Sequence, residues 1–146
     1  MINKTSTALI AALISILGLT GCVRYNVAEP LNRFSSPELG TAEGNEITVA
    51  AGSTWFAEGE YENFILTGQA LTEDNAEAAL LFHTDGKSGY EVAFRNGAID
   101  GTRKSGSLTS VRNLYRSLAE DGKWFDFKIA VRGHNILIAI NDTVVV

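Results

Sequence analysis

Three side chains equipped for proton transfer and charge stabilisation fall on two neighbouring alternating runs, His83 in AALLFHTDG and Glu91 and Arg95 in GYEVAFRN. A five-residue loop from Asp85 to Gly89 sets Thr84 opposite Tyr90, Phe82 opposite Val92 and Leu80 opposite Phe94. The other face then carries His83 across from Glu91, with Arg95 two residues further along. An imidazole beside a carboxylate forms a general base with an orienting partner, and a guanidinium stabilises negative charge as it develops. The same residues also fit a cross-strand polar pair on a solvated sheet face. Glu58, Glu60 and Glu62 alternate along one stretch. That pattern suits paired-carboxylate glycoside chemistry, and equally a charged edge that discourages strand addition. Tyr90 and Trp124, with Trp55, Tyr61 and Tyr115, offer faces on which a sugar ring can stack. Arg103, Lys104, Arg112 and Arg116 gather four cations within fourteen positions, either the mouth of a site for hydroxyl-rich or anionic ligands or a solvated surface. The sequence contains no Ser-His-Asp set, no Gly-rich phosphate loop and no Cys/His metal cluster.

These groups need a sheet to hold them. Trp124 to Val146, WFDFKIAVRGHNILIAINDTVVV, contains two alternating runs that meet at Gly133-His134, the signal of a type II′ hairpin. The two-residue loop sets Val131 opposite Ile136, Ile129 opposite Ile138 and Phe127 opposite Ile140. A second turn at Asn141-Asp142 brings Val145 beside Ile138. Burying each such side chain is worth roughly 1.5–3 kcal/mol, so this meander anchors a sheet. Asn63 to Thr72 is a further strand, with Phe64, Leu66, Gly68 and Ala70 on one face and Gly68 marking a bulge or a close backbone approach. Ile47 to Ala51 is a short strand, and the run starting at Ala76 is strand from Ala79 onward. Val111, Leu114, Tyr115 and Leu118 have helical spacing, Ser110 is a capping residue and Gly122 follows, which predicts one short helix near 110–120. Strands otherwise dominate, so the class is all-β, a sandwich of two antiparallel sheets.

The N-terminus reads differently. A positive start at Lys4 and an apolar run from Ala8 to Leu19 lead to Leu19-Thr20-Gly21-Cys22. The run is short for a membrane span and fits a secretory signal. LTGC resembles the bacterial lipobox, which implies cleavage before Cys22 and lipidation of its thiol and new amino group. The expected organisation is a signal peptide over 1–21, a flexible tether from Cys22 over 22–45 rich in Pro, Ser and Gly, and a globular domain over 46–146. Without Lys4, eleven basic residues stand against 17 acidic ones, a balance that argues against a nucleic-acid partner. Membrane attachment is expected through the Cys22 acyl chains. Val23, where lipoproteins retained at the inner membrane carry Asp, implies by that resemblance an outer-membrane location in a bacterial cell envelope.

YENFILTGQ, AALLFHTDGKSGYEVAF and GKWFDFKIAVRGHNILIAINDTVVV follow one another in an order that resembles the 3-keto-disaccharide hydrolase family, formerly DUF1080. NGAIDGTRKSGSLTSVRNLYRSLAEDGKWF looks like a lipoprotein branch of it. The chain departs from the family pattern at His83, usually Arg, at Ala93, usually Gln, and at Asn141-Asp142, usually Asn-Gly. The resemblance implies a concanavalin A-like jelly roll whose concave face binds sugar, and hydrolysis of glycosides bearing a 3-keto group. It also implies a chain truncated after Val146, inside the last strand of the meander, so that the sandwich is incomplete at its C-terminus. Related sandwich folds carry calcium, but no ligand loop is legible, and no other metal or cofactor is expected. The expectation is therefore a lipid-anchored envelope protein that cleaves 3-keto-glycosides, with His83, Glu91 and Arg95 catalytic and Tyr90, Trp124, Arg103, Lys104 and Arg112 holding the sugar. The alternatives are a non-catalytic carbohydrate-binding module and a structural envelope lipoprotein.

Overall fold

The computed structural model describes residues 21–25, 34–35, 40–43, 46–49, 56–57, 61–84, 88–97 and 101–146. Within them the strands are β1 (Gly21–Tyr25), β2 (Phe34–Ser35), β3 (Gly40–Glu43), β4 (Glu46–Val49), β5 (Phe56–Ala57) and β6 (Phe64–Thr72). They continue with β7 (Ala78–Phe82), β8 (Tyr90–Phe94), β9 (Phe125–Arg132), β10 (Asn135–Ile140) and β11 (Thr143–Val144). The larger sheet runs β11-β10-β9-β6-β1-β4-β3, with every neighbouring pair antiparallel. β7 and β8 form a separate hairpin, and β2 pairs with β5.

The meander forms in the register its apolar pattern dictates. Val131 faces Ile136, Ile129 faces Ile138 and Phe127 faces Ile140. Gly133 takes a φ of 57° at the first turn, a value that favours glycine. Asn141 and Asp142 are both left-handed, at 47° and 60°, as a type I′ turn requires. The Val145 amide then donates to the Ile138 carbonyl at 2.8 Å. β6 adds to the other side of β9, with Phe64, Leu66, Gly68 and Ala70 opposite Val131, Ile129, Phe127 and Phe125. Its pairing is continuous through Gly68, so no bulge forms there.

Strict alternation on β9 buries Phe125, Phe127, Ile129 and Val131 and turns Asp126, Lys128 and Arg132 outward. The β7–β8 hairpin covers that buried face with Ala78, Leu80, Phe82, Val92 and Phe94, and these side chains form one core with Ile138 and Ile140. Phe94 is the wedge between the layers, 5.9 Å from the Phe125 ring and 5.1 Å from the Phe127 ring. Phe64 meets Phe82 edge-on at 5.5 Å at the other end of the hairpin. The result is an all-β, jelly-roll-like sandwich of two antiparallel sheets.

Two expectations are corrected. The β7–β8 register lies two residues from the expected one, with Phe82 opposite Tyr90, Leu80 opposite Val92 and Ala78 opposite Phe94. His83 leaves the strand with φ 48°, and Thr84 turns inward against Gly89, where an added Cβ would stand 2.6 Å from the Thr84 Cβ. The connection is therefore longer than five residues. Second, no helix forms near 110–120. Ser110 is left-handed at 64°, and Leu108 and Arg112 pair across a tight turn. The backbone amides of Lys104 and Thr109 donate to Leu114 and Glu91 carbonyls, so these groups bond across the loop rather than along a helix. Val111, Tyr115 and Leu118 are exposed, leaving a helix no apolar face to bury. β1 and β3 pair with β4 and, for β1, also with β6. The expected signal peptide lies outside the described residues except for Gly21, as do Trp55, Glu58 and Glu60.

Replacing Phe94 by Ala is expected to cost about 3–5 kcal/mol, whereas Tyr115→Ala, on the exposed loop, stays within about 0.5 kcal/mol. Urea titration of the two variants against the parent chain checks both values.

Candidate functional site

Alternation on β7 and β8 sends Leu80, Phe82, Val92 and Phe94 into the core and leaves Ala79, Leu81, Glu91 and Ala93 on the opposite face. In the observed register Glu91 lies across from Leu81, Ala93 lies across from Ala79, and Glu77 and Arg95 meet one step beyond the ladder as an ion pair. Two alanines side by side create a dip, and charged side chains rim it. Glu77, Ala79, Glu91, Ala93, Arg95 and Arg103 line a cleft of about 120 Å³.

The segment after Arg103 runs back along β8 as an irregular third strand. Ser105 and Thr109 donate their amides to the Arg95 and Glu91 carbonyls at 3.0 and 2.9 Å, and the Ala93 amide donates to the Ser107 carbonyl at 3.0 Å. This path delivers the Thr109 hydroxyl to Glu91, where it donates to Oε1 at 2.8 Å. One carboxylate oxygen is thus held by the protein. Arg95 is only 13% exposed and spends one guanidinium nitrogen on Glu77. Partial burial of one member and 39% exposure of the other put this pair at no more than about 1 kcal/mol of stability, so orientation of the guanidinium is its main effect.

The expected site residues divide. Glu91, Arg95 and Arg103 come together at the cleft. His83 does not oppose Glu91: it sits at the far end of the hairpin, where Nε2–H donates to the Glu62 carbonyl at 3.1 Å. Its ring lies 6.3 Å from Tyr90 and 6.0 Å from Phe64, and Tyr90 stacks on Phe82 at 5.5 Å. Tyr90 and His83 form an aromatic ledge of their own, separate from the cleft lining. Lys104 is buried, and its ammonium donates to the Gly97 carbonyl. Arg112 is exposed and its Nε donates to the Val145 carbonyl at 3.1 Å, bracing the loop against the edge of the meander. Trp124 is half-buried at the start of β9 and is not part of the cleft lining.

A buried polar network behind the cleft escaped the reading of the sequence. Asn96 is its hub: Oδ1 accepts from the Ser105 and Ser117 hydroxyls, and Nδ2 donates to Thr72 Oγ1 at 2.8 Å. Thr72 passes its own hydroxyl proton toward Asp121 Oδ1 at 2.7 Å, and the second Asp121 oxygen takes the Asn75 amide at 3.1 Å. Ser107, fully buried, donates to the Lys104 carbonyl and accepts from the Leu114 amide. These bonds replace the missing helix as the support for residues 104–121. Ser105-Gly106-Ser107 was the only hint in the chain, because small polar residues next to Leu108 have no apolar reason to be inside. Glu77 was also overlooked, since only the correct register shows it opposite Arg95.

A second, wider depression of about 960 Å³ opens at the hairpin end of β6, β9 and β10, lined by Asn63, Phe64, Ile65, Val131, Arg132 and Leu137 among others. Its lining is mostly apolar and contains no Asp or Glu side chain, whereas Glu77 and Glu91 line the smaller cleft. Among the described residues no three His, Cys, Asp or Glu side chains converge as metal ligands.

Fold and site together define a jelly-roll-like sandwich domain with an acid–guanidinium cleft on the outer face of its smaller sheet. The chain belongs to the family of 3-keto-alpha-glucoside-1,2-lyase-like domains, which it matches over residues 27–146. No curated protein and no solved structure matches it.

Asn96→Leu leaves the Ser105, Ser117 and Thr72 hydroxyls short of partners. An expected loss of about 1–3 kcal/mol, read by thermal unfolding, follows from stranding buried polar groups.

Proposed function

We propose that this protein cleaves 3-keto-glycosides by elimination, with Glu91 as the base and the Arg95 and Arg103 guanidinium groups as the anion stabilisers. The carrying observation is that these three side chains rim one cleft in a chain of this family. A ketone on the sugar ring acidifies the C–H bond on the neighbouring carbon that also adjoins the anomeric centre. Glu91 accepts that proton, and the electron pair moves into the ring as an enolate whose oxygen is held by a guanidinium. Collapse of the enolate forms a carbon–carbon double bond to the anomeric carbon and breaks its bond to the glycosidic oxygen. The leaving oxygen departs as an alkoxide and takes a proton from protonated Glu91 or water. Thr109 fixes one Glu91 oxygen, so the other is the one presented for proton transfer. Tyr90, 41% exposed over Phe82, offers a stacking face at the end of the same hairpin.

A non-catalytic sugar-binding module is the second reading, and one observation favours it. The cleft of about 120 Å³ falls below the ~300–1,000 Å³ usual for enclosed small-molecule sites, so it admits one edge of a sugar ring and not a disaccharide.

The chain is further proposed to be lipid-anchored at Cys22 in the outer membrane of a bacterial envelope. Support comes from the LTGC sequence and the apolar run before it. Cys22 pairs in register with Thr48 and Leu71, so an anchor there holds the sheet itself against the bilayer. No calcium or cofactor site is nominated.

Glu91→Gln keeps the hydrogen bond from Thr109 but removes the base. Release of free sugar from a 3-keto-disaccharide is expected to fall by about 10²-fold or more, with KM little changed. Undiminished release by the variant removes Glu91 from the chemistry. Sugar binding by the parent chain without any release establishes the module instead.

A further inference from the structure

Residues 101–118 contain Arg103, Lys104, Arg112 and Arg116 and not one Asp or Glu, in a chain whose formal charge is −5. Lys104 is buried and Arg103 lines the cleft, which leaves Arg112 and Arg116 on the outer surface of the loop. Between and beside them stand Val111, Tyr115 and Leu118, which are 67%, 72% and 47% exposed. These apolar side chains are displayed by a loop that its backbone bonds and the Asn96 network hold firmly, so their exposure is built in rather than a frayed helix. The nearest following acids are engaged: Glu120 pairs with Lys123, and Asp121 takes its bonds from Thr72 and Asn75.

We propose that this loop is an interfacial membrane contact for anionic phospholipid, with Val111, Tyr115 and Leu118 entering the headgroup boundary and Arg112 and Arg116 meeting lipid phosphates. Charge complementarity and the alternation of apolar with guanidinium side chains favour a bilayer over an acidic glycan. Hydroxyl-rich polymers gain nothing from exposed valine and leucine, whereas the acyl boundary does. Ser117 and Thr72 are joined through Asn96, and Leu71, next to Thr72, is paired with Cys22, so the Ser117 end of the loop lies at the anchor end of β6. Arg112 lies farther along the sheet, where its Nε meets Val145 beside Ile138. The contact goes beyond the proposed acylation and does not require it.

Trypsin reads this contact on the native full chain. Incubated with phosphatidylcholine vesicles, the protein is cut after exposed Arg112 and Arg116 and, at the far end of β9, after exposed Arg132. Vesicles containing phosphatidylglycerol are expected to slow the first two cuts about tenfold, leave the third unchanged and lose the effect in about 0.5 M salt. The same protection should vanish in Tyr115→Asp, and protection of the Arg112 cut should vanish in Arg116→Gln, which lacks its own trypsin site, each with the Arg132 cut as a check on folding. Equal cutting on both vesicle types overturns the proposal, and so does protection by a soluble acidic polysaccharide with none on vesicles. Flotation on pure phosphatidylcholine reports the acyl anchor separately, so its failure is not confused with failure of the loop.

Discussion

Everything in this domain depends on the contact between the β7–β8 hairpin and the β6–β9–β10 sheet, and that contact turns on Phe94. A two-stranded hairpin is marginal by itself in water. It persists here because one face of five apolar side chains is buried against the alternating face of β9. The same packing decides where chemistry is allowed. Once Leu80, Phe82, Val92 and Phe94 are committed inward, the pleat forces Glu91 and Ala93 outward, and the cleft is the outer side of a wall whose inner side is the core. Framework and proposed site therefore share the same two strands but not the same residues.

The loop that closes the cleft is supported in another way. A helix over 110–120 would have satisfied its own backbone, and its absence leaves those groups to be satisfied elsewhere. They are met by the 104–114 and 108–112 pairings and by the Ser107 and Ser117 hydroxyls, which accept from the Leu114 and Ala119 amides. Such a network is only favourable when nearly all its members are satisfied. Asn96 uses both ends of its amide, and Thr72 both donates and accepts. The outcome is a rigid loop that carries Thr109 to Glu91 on one side and keeps Tyr115 and Leu118 in solvent on the other.

What could be read from the sequence follows from which forces are local. The meander was legible down to its register because both turns are two residues long and each carries turn chemistry that leaves one choice, Gly133 at positive φ and Asn141-Asp142 both left-handed. β6 was legible because its alternation is long. The 110–120 segment misled because helical spacing of Val111, Leu114, Tyr115 and Leu118 resembles an amphipathic stripe, and spacing cannot tell whether a core waits beneath it. Here Leu108, Ala119 and Ile140 belong to the core, while Val111, Tyr115 and Leu118 stay in solvent. The buried network was invisible for a related reason: serines, threonine and asparagine far apart in the chain acquire their meaning only from tertiary contact.

The hairpin carrying the cleft shows how far a register error propagates. A slip of two residues keeps every side chain on its proper face, because the strand period is two, whereas a slip of one would exchange core and surface. That is why the outward set of Glu91, Ala93 and Arg95 was found intact from the pattern alone. Pairing has no such protection. Moving the partner strand by two replaces His83 with Leu81 opposite Glu91 and brings Glu77 opposite Arg95. The imidazole–carboxylate dyad therefore gives way to a carboxylate oriented by a threonine and flanked by guanidinium groups. This constellation suits a base that works beside an anion rather than beside a proton relay. A left-handed His83 and a Gly89 packed tightly on Thr84 settle the matter, two backbone features that residue type alone does not reveal.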